Sequence, residues 1–299
     1  MSSNSLTDES KRSYMKHLRQ VQKNTPVSIG TSFYKMLLHP KEVMAHIRSL
    51  ISSNKISLNT GKANIVALAM LIRRMNEAKL ATDELKIKQP EWVQNVHSIN
   101  KRVTDLLEKN SFSKREEKSW VDHNQWLKKE KELRATEEGS ESHLLVAFHS
   151  LIAPPRGGDL FHVKIISSKT ALPKSKLSVL IWDGPDKPAT LLIRDHKTRK
   201  TWPVVKQDLP EQLRKSIDIS LKENPRTTLF SPTTRGSFIN WKNREFQRLF
   251  NKAVTSNIAR HAYVNFKESK PRSISTKRDD AAKMGHSIST HDGYRKLSK

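Results

Sequence analysis

The chain has no cysteine in its 299 residues, which excludes disulfides, thiol nucleophiles and any cysteine-ligated zinc site. It has no apolar run of bilayer-spanning length, no signal-peptide pattern, no lipidation motif and no clearly basic amphipathic helix. Neither insertion into a membrane nor attachment to one is expected, and the expected location is intracellular. No cluster of His, Asp and Glu with metal-ligand spacing stands out, so no metal and no cofactor is expected. Acidic residues are the scarce charge: 30 Asp and Glu face 55 Lys and Arg, a net charge of +25 with an isoelectric point near 10.2. Such an excess is self-repelling without a polyanionic partner, and it points to double-stranded DNA bound in a salt-sensitive way through counterion release.

A composition of 35% hydrophobic and 28% charged residues describes a polar globular protein, and the length suits two domains. Residues 1–30 are polar and read as a flexible arm or a short helix. Residues 31–110 then show three helical stripes. His39-Pro40 opens the first, with Val43, Met44, Ile47, Leu50 and Ile51 on one face and Pro in the first turn. The second is capped by Ser57 or Thr60 and carries Ile65, Leu68, Ala69, Ile72 and Met75. The third is expected to start after Pro90 and carries Trp92, Val96, Ile99, Val103 and Leu106. These stripes are core, leaving Lys55, Lys62, Arg73, Arg74, Lys101 and Arg102 on the opposite faces as candidate DNA contacts.

The run EKNSFSKREEK at 108–118 lacks periodicity and reads as a linker. The second domain, 111–299, opens with a helix around Trp120, Trp126 and Leu127. After a polar gap at 138–142, a helix LLVAFHSLI ends at Pro154 and Pro155, so that Arg156 is delivered at a turn with Gly157 and Gly158. Lys176–Trp182, Ala189–Asp195 and Thr201–Val205 alternate as strands and predict a three-stranded antiparallel sheet, with Lys197 and Lys200 in its second turn. Helices follow through Leu213, Ile217 and Leu221, and then over Phe238–Val254. The predicted fold class is mainly α with a small antiparallel β-sheet, α+β.

The last stretch holds an ordered set: Asn257, Arg260 and His261, then Gly285-His286, then Tyr294. Arginine offers a fixed charged fork to phosphate oxygens, histidine can donate or accept there, and a phenol can act as a covalent nucleophile. With Arg156 in RGGDLF and Lys197 in LLIRDHKT, and with MGHSISTHDGY at the end, the order resembles the tyrosine recombinase (phage-integrase) family. The wording is similar to integrases carried by viruses and mobile elements of eukaryotic hosts.

That resemblance implies a helical core-binding domain over 31–110 that clamps DNA, and a catalytic domain over 111–299. It implies that Arg156 and Arg260 grip the scissile phosphate and that Asp159 holds Arg156. Tyr294 would attack to give a 3′-phosphotyrosine, while Lys197, with Lys200 as rival, protonates the leaving 5′ oxygen. His286 would hydrogen-bond the phosphate and help manage the tyrosine proton, and His261 would support Arg260 from behind. It further implies a dimer or tetramer on DNA, in a nucleus or a viral replication compartment if the host is eukaryotic. The chain departs from the family pattern at Asn257, where a histidine is common, in the eight-residue gap from His286 to Tyr294, and in the five residues after Tyr294, which leave little chain for an exchanged helix. Two other readings are a type IB topoisomerase and a basic DNA-binding protein without catalysis.

Overall fold

The computed structural model describes residues 8–30, 32–108, 110–173 and 176–296, without the side chains of Glu9, Leu106, Leu107, Glu108 and Lys114. The first seven residues of the expected arm and the Leu106 side chain of the third stripe therefore lie outside what is described. The chain divides into two compact units, Met1–Lys109 and Asn110–Lys299.

The first unit is helical: α1 (Asp8–Asn24), α2 (Phe33–Leu38), α3 (Pro40–Ser52), α4 (Leu58–Glu77) and α5 (Asp83–Glu108). Of the two readings of the polar N-terminal segment the helix holds, because Leu18 and Val21 are buried with the rest of this core. Pro40 sits in the first turn of α3, and Ser57 rather than Thr60 caps α4 by accepting the Thr60 amide at 3.1 Å. The third stripe starts earlier than Pro90. Asp83 and Glu84 place negative charge in the first turn of α5, Thr82 Oγ1 accepts the Leu85 amide at 3.4 Å, and Pro90 is carried inside the helix. Arg73 and Arg74 are not free cations, since both pair with Glu77, at 2.9 and 2.8 Å.

Burial of Met36, Leu37, Val43, Ile47, Ile65, Leu68, Ile72, Leu85 and Trp92 makes this core. Each such side chain contributes on the order of 1.5–3 kcal/mol. Trp92 closes it by donating its indole N–H to the Leu37 carbonyl at 3.0 Å.

The second unit contains α6 (Lys114–Ser119), α7 (His123–Glu137), α8 (Glu141–Ser150), β1 (Lys164–Ile166), β2 (Val179–Ile181), β3 (Thr190–Ile193), β4 (Val205–Asp208), α9 (Glu211–Glu223), α10 (Arg235–Phe250), α11 (Ser256–Lys267), α12 (Ile274–Lys283) and α13 (Ile288–Asp292). Part of the expected linker is α6, started by a capping box in which Ser113 and Glu116 each satisfy the other's backbone N–H. The mainly α architecture with a small sheet is as expected, but the sheet differs. It has four strands in the order β1-β2-β3-β4, and β1 runs parallel to β2, so it is mixed. The three residues of β1 are too few to show an alternation in sequence.

The last strand also begins later than Thr201. The amides of Thr201 and Trp202 both return to the Thr198 carbonyl, at 3.0 and 2.9 Å, so the turn extends through residues that would otherwise have paired. The core beneath the sheet is built around α8, whose Leu144, Leu145, Val146, Ala147 and Phe148 are all fully buried, and around Trp126, packed 5.0 Å from the Phe246 ring and 4.5 Å from the Phe250 ring. Among the described residues no helix is long and apolar enough to cross a membrane.

Replacing Trp92 by Phe keeps most of the packing and deletes the indole donor, leaving the Leu37 carbonyl buried without it. The expected cost is about 1–3 kcal/mol in the unfolding of the first unit, read by urea denaturation followed by circular dichroism. An unchanged midpoint would show that the hydrogen bond contributes nothing.

Candidate functional site

Arg260 projects from α11 and is 1% exposed. Its guanidinium donates to the Pro154 carbonyl at 2.8 Å, to the Met284 carbonyl at 3.0 Å, to His286 Nδ1 at 2.9 Å and, through Nε, to the Tyr294 hydroxyl at 3.2 Å. The same guanidinium lies over the Tyr294 ring, 5.0 Å from its centroid, and His286 stacks on that ring at 5.2 Å with an interplanar angle of 20°. Burial lowers the affinity of Arg260 for its proton, an effect opposed by Tyr294. Because Arg260 donates to Nδ1, the proton of neutral His286 resides on Nε2, which faces His291 Nδ1 at 3.3 Å.

Arg156 approaches from the loop after α8. It donates through Nη1 to Thr198 Oγ1 at 2.7 Å and through Nη2 to the Gly285 carbonyl at 3.3 Å, and Thr198 itself donates to that carbonyl at 2.8 Å. The turn Met284-Gly285-His286 therefore presents a carbonyl to each arginine. Gly285 is required there: its φ is +67°, and a Cβ would stand 2.8 Å from Val205 Cγ2. Gln207, buried on β4, donates to the carbonyls of Ala153 and Lys283, both at 3.0 Å, and joins the sheet to the loops on either side.

The expected residues do not all converge. Arg156, Arg260, His286 and Tyr294 do. Lys197 is exposed in the β3–β4 turn, directly before the Thr198 that is tied to Arg156, and Lys200 is exposed further along the same turn. Asp159 supports Arg156 through the backbone, not through the guanidinium: its carboxylate accepts the Arg156 amide at 2.9 Å. Burial pushes that carboxyl up, opposed by the Arg156 amide and by the charges of Arg156 and Arg260. His261 does not stand behind Arg260. It packs 4.7 Å from the Tyr294 ring and donates from Nδ1 to the Tyr294 carbonyl at 2.6 Å, while exposed Asn257 donates to its Nε2 at 3.1 Å.

Residues the sequence reading left out also shape the site. Besides Thr198 and Gln207 there is Arg235, which pairs with Asp195 at 3.0 Å and packs so closely over Gly158 that a Cβ there would meet its Nη2 at 2.8 Å. Lys242, 3% exposed, donates to Ser256 Oγ at 2.9 Å and to Asn243 at 3.2 Å, and burial brings it down to about 8. Only Thr198, inside the DHKT wording, carried a signal; a lysine or glutamine within a helix or strand is indistinguishable from a surface residue until the packing is known. Among the described residues the guanidinium of neither Arg156 nor Arg260 has a carboxylate oxygen within 4 Å.

The fold and the site together define a mainly helical protein with a small mixed sheet, a phenol held against the Arg260 guanidinium and a second guanidinium, that of Arg156, closing on the adjoining Gly285 turn. No protein-family model matches the chain, and no curated protein does. Among solved structures it is similar to a crystal structure of XerA recombinase, at 14% identity and a TM-score of 0.40, over 98% of this chain and 89% of that one. At that score the likeness bears no weight, and the functional reading rests on the side chains.

Burial also sets a pH dependence. His149 and His286 are pushed down to about 3 and His123 to about 4, from an ordinary 6.5. For His286 the charges of Arg260, His291 and Arg156 add to the burial. The folded unit keeps these imidazoles neutral while the unfolded chain protonates them below 6.5. Their contribution to stability is thus present above that pH and lost as the pH falls toward 3. The denaturation midpoint of the second unit should be lower at about pH 5 than at about pH 7.5, with the slope reduced in His286→Asn; equal midpoints would contradict the burial of neutral imidazoles.

Proposed function

We propose that this chain is a site-specific recombinase or integrase of the tyrosine recombinase kind, which breaks and rejoins double-stranded DNA through a 3′-phosphotyrosine. The observation that carries the reading is the 3.2 Å hydrogen bond from Arg260 Nε to the Tyr294 hydroxyl, made while Arg156 closes on the same Gly285-His286 turn. A guanidinium that touches the nucleophile also lies where it can hold the phosphate being attacked. The Tyr294 oxygen forms a bond to phosphorus and gives up its proton to water, the bond from phosphorus to the 5′ oxygen breaks, and Lys197 protonates that leaving oxygen. Rejoining reverses these steps, so no external energy source is needed.

Two arginines offset the charge that builds on the non-bridging oxygens, each on the order of a hundredfold in rate. His286 contributes as a neutral donor rather than as the base for the phenol: one ring nitrogen is occupied by Arg260 and the other by His291. The net charge of +25 supplies non-specific attraction to the duplex. Carriage by a virus or mobile element of a eukaryotic host, action in the nucleus or a viral replication compartment, and assembly as a dimer or tetramer on DNA belong to the same reading and rest on the sequence resemblance.

Incubation with a nicked suicide substrate, followed by a denaturing gel, tests the chemistry. Wild type should form a covalent adduct, and Tyr294→Phe should form none while binding DNA with affinity within about twofold of wild type. Equal adduct formation by the two would end the assignment of Tyr294, and no adduct with either would leave a DNA-binding protein without catalysis.

The lysine has its own test, because a general acid matters only while the leaving group is poor. Lys197→Ala should cleave ordinary DNA slowly and recover on a 5′-bridging phosphorothioate, whose sulfur departs without protonation. Arg156→Ala and Arg260→Ala should not recover to the same degree. Recovery by Lys200→Ala instead would move the acid three residues along the turn.

A further inference from the structure

His291 is 0% exposed and lies in α13, three residues before Tyr294. Its Nδ1 is 3.3 Å from His286 Nε2. Its Nε2 has no hydrogen-bond partner, and neither has Oε1 of Glu268, whose side chain is 4% exposed; the two orphaned atoms face each other across 3.8 Å. A buried donor and a buried acceptor each left without a partner are costly, and here each is the other's nearest answer. The remaining oxygen of Glu268 is taken by Lys277 at 2.6 Å, and Arg272 stands 3.9 Å from Oε1 while holding Asp280 at 2.6 Å. Two cations thus fix Glu268 in place.

From these contacts we propose that His291 is a positioning residue for His286, and that Glu268 selects the tautomer in which it acts. The Glu268 carboxylate draws the proton of His291 onto Nε2, which leaves Nδ1 as an acceptor for the Nε2–H of His286. With Arg260 donating to the opposite nitrogen, the His286 ring is held at both ends. Its plane is the surface on which the Tyr294 ring stacks, so the same pair also sets the attitude of the phenol. The 3.3 Å contact is long enough for an entering phosphate oxygen to compete for the His286 proton. This inference rests on the phosphoryl-transfer reading of the site, and its test separates the two.

Histidine-labelled full-length protein without DNA gives the first arm, by nitrogen NMR. Wild type should show both His286 and His291 protonated on Nε2. In Glu268→Gln the amide oxygen remains with Lys277 and the NH2 group turns to His291, so His291 should switch to the Nδ1-protonated form and the His286 signals should move with it. The second arm is the single-turnover rate of adduct formation at saturating suicide substrate. His291→Leu, which keeps bulk and removes the acceptor, should lose about tenfold or more in rate at an affinity within about twofold of wild type. His291→Asn, whose amide oxygen can stand where Nδ1 stood, should recover most of the rate and also shows that the site still folds.

Wild-type rates in His291→Leu, or His286 signals indifferent to Glu268→Gln, would overturn the proposal. If wild type itself forms no adduct, the phosphoryl-transfer reading falls, and the tautomer measurement alone decides whether His291 and Glu268 orient His286.

Discussion

A guanidinium taken out of water without a carboxylate to meet it is the condition on which the second unit depends. Removing a charge from solvent costs several kcal/mol or more even after relaxation, and the hydrogen bonds of Arg260 all go to neutral groups: two backbone carbonyls, an imidazole nitrogen and a phenol. A carboxylate would hold the arginine more cheaply, but it would also neutralise the charge that an incoming anion needs. The arrangement stabilises the fold just enough to keep the cation in place and leaves its field unspent.

The partners of Arg260 come from separate parts of the chain, so satisfying one side chain fixes the relative position of four segments. Pro154 belongs to the break after α8, Met284 and His286 to the turn after α12, and Tyr294 to the tail. Arg156 and Thr198 add the β3–β4 turn by closing on the carbonyl of Gly285. Gln207 ties the far side of that turn to the loop after α8. The sheet is small because its work is local: it carries one turn to the site and anchors it from beneath.

Much of this was legible in the sequence. Helical stripes such as Val43, Met44 and Ile47 marked the buried faces, Pro154 and Pro155 marked where a helix must end, and residues far apart in the chain were recognisable as one set by their chemistry. What stayed hidden depends on distance. Pro90 looked like a boundary because proline disfavours a helix interior, yet the acidic first turn and the packing of Trp92 outweighed it. The strand β1 gave no alternation because three residues carry none. Asp159 was expected to hold the Arg156 side chain, but a carboxylate three residues on reaches the backbone amide more readily than the end of the side chain. The Ser113 to Glu116 spacing was readable as a capping box, and the surrounding charges obscured it.

The tail that carries Tyr294 is fastened to its own unit at the tyrosine and just beyond it. His261 holds the Tyr294 carbonyl, Asn265 both donates to the Lys296 carbonyl at 2.9 Å and accepts its amide at 2.6 Å, and the Lys296 ammonium reaches the Ser111 carbonyl at 3.2 Å. On the proposed reading, a nucleophile moored this way would be delivered in cis. Each molecule would bring its own tyrosine to its own arginines, and lending it to a neighbour would first require giving up four bonds, so the supply of nucleophile would not depend on how many copies are present.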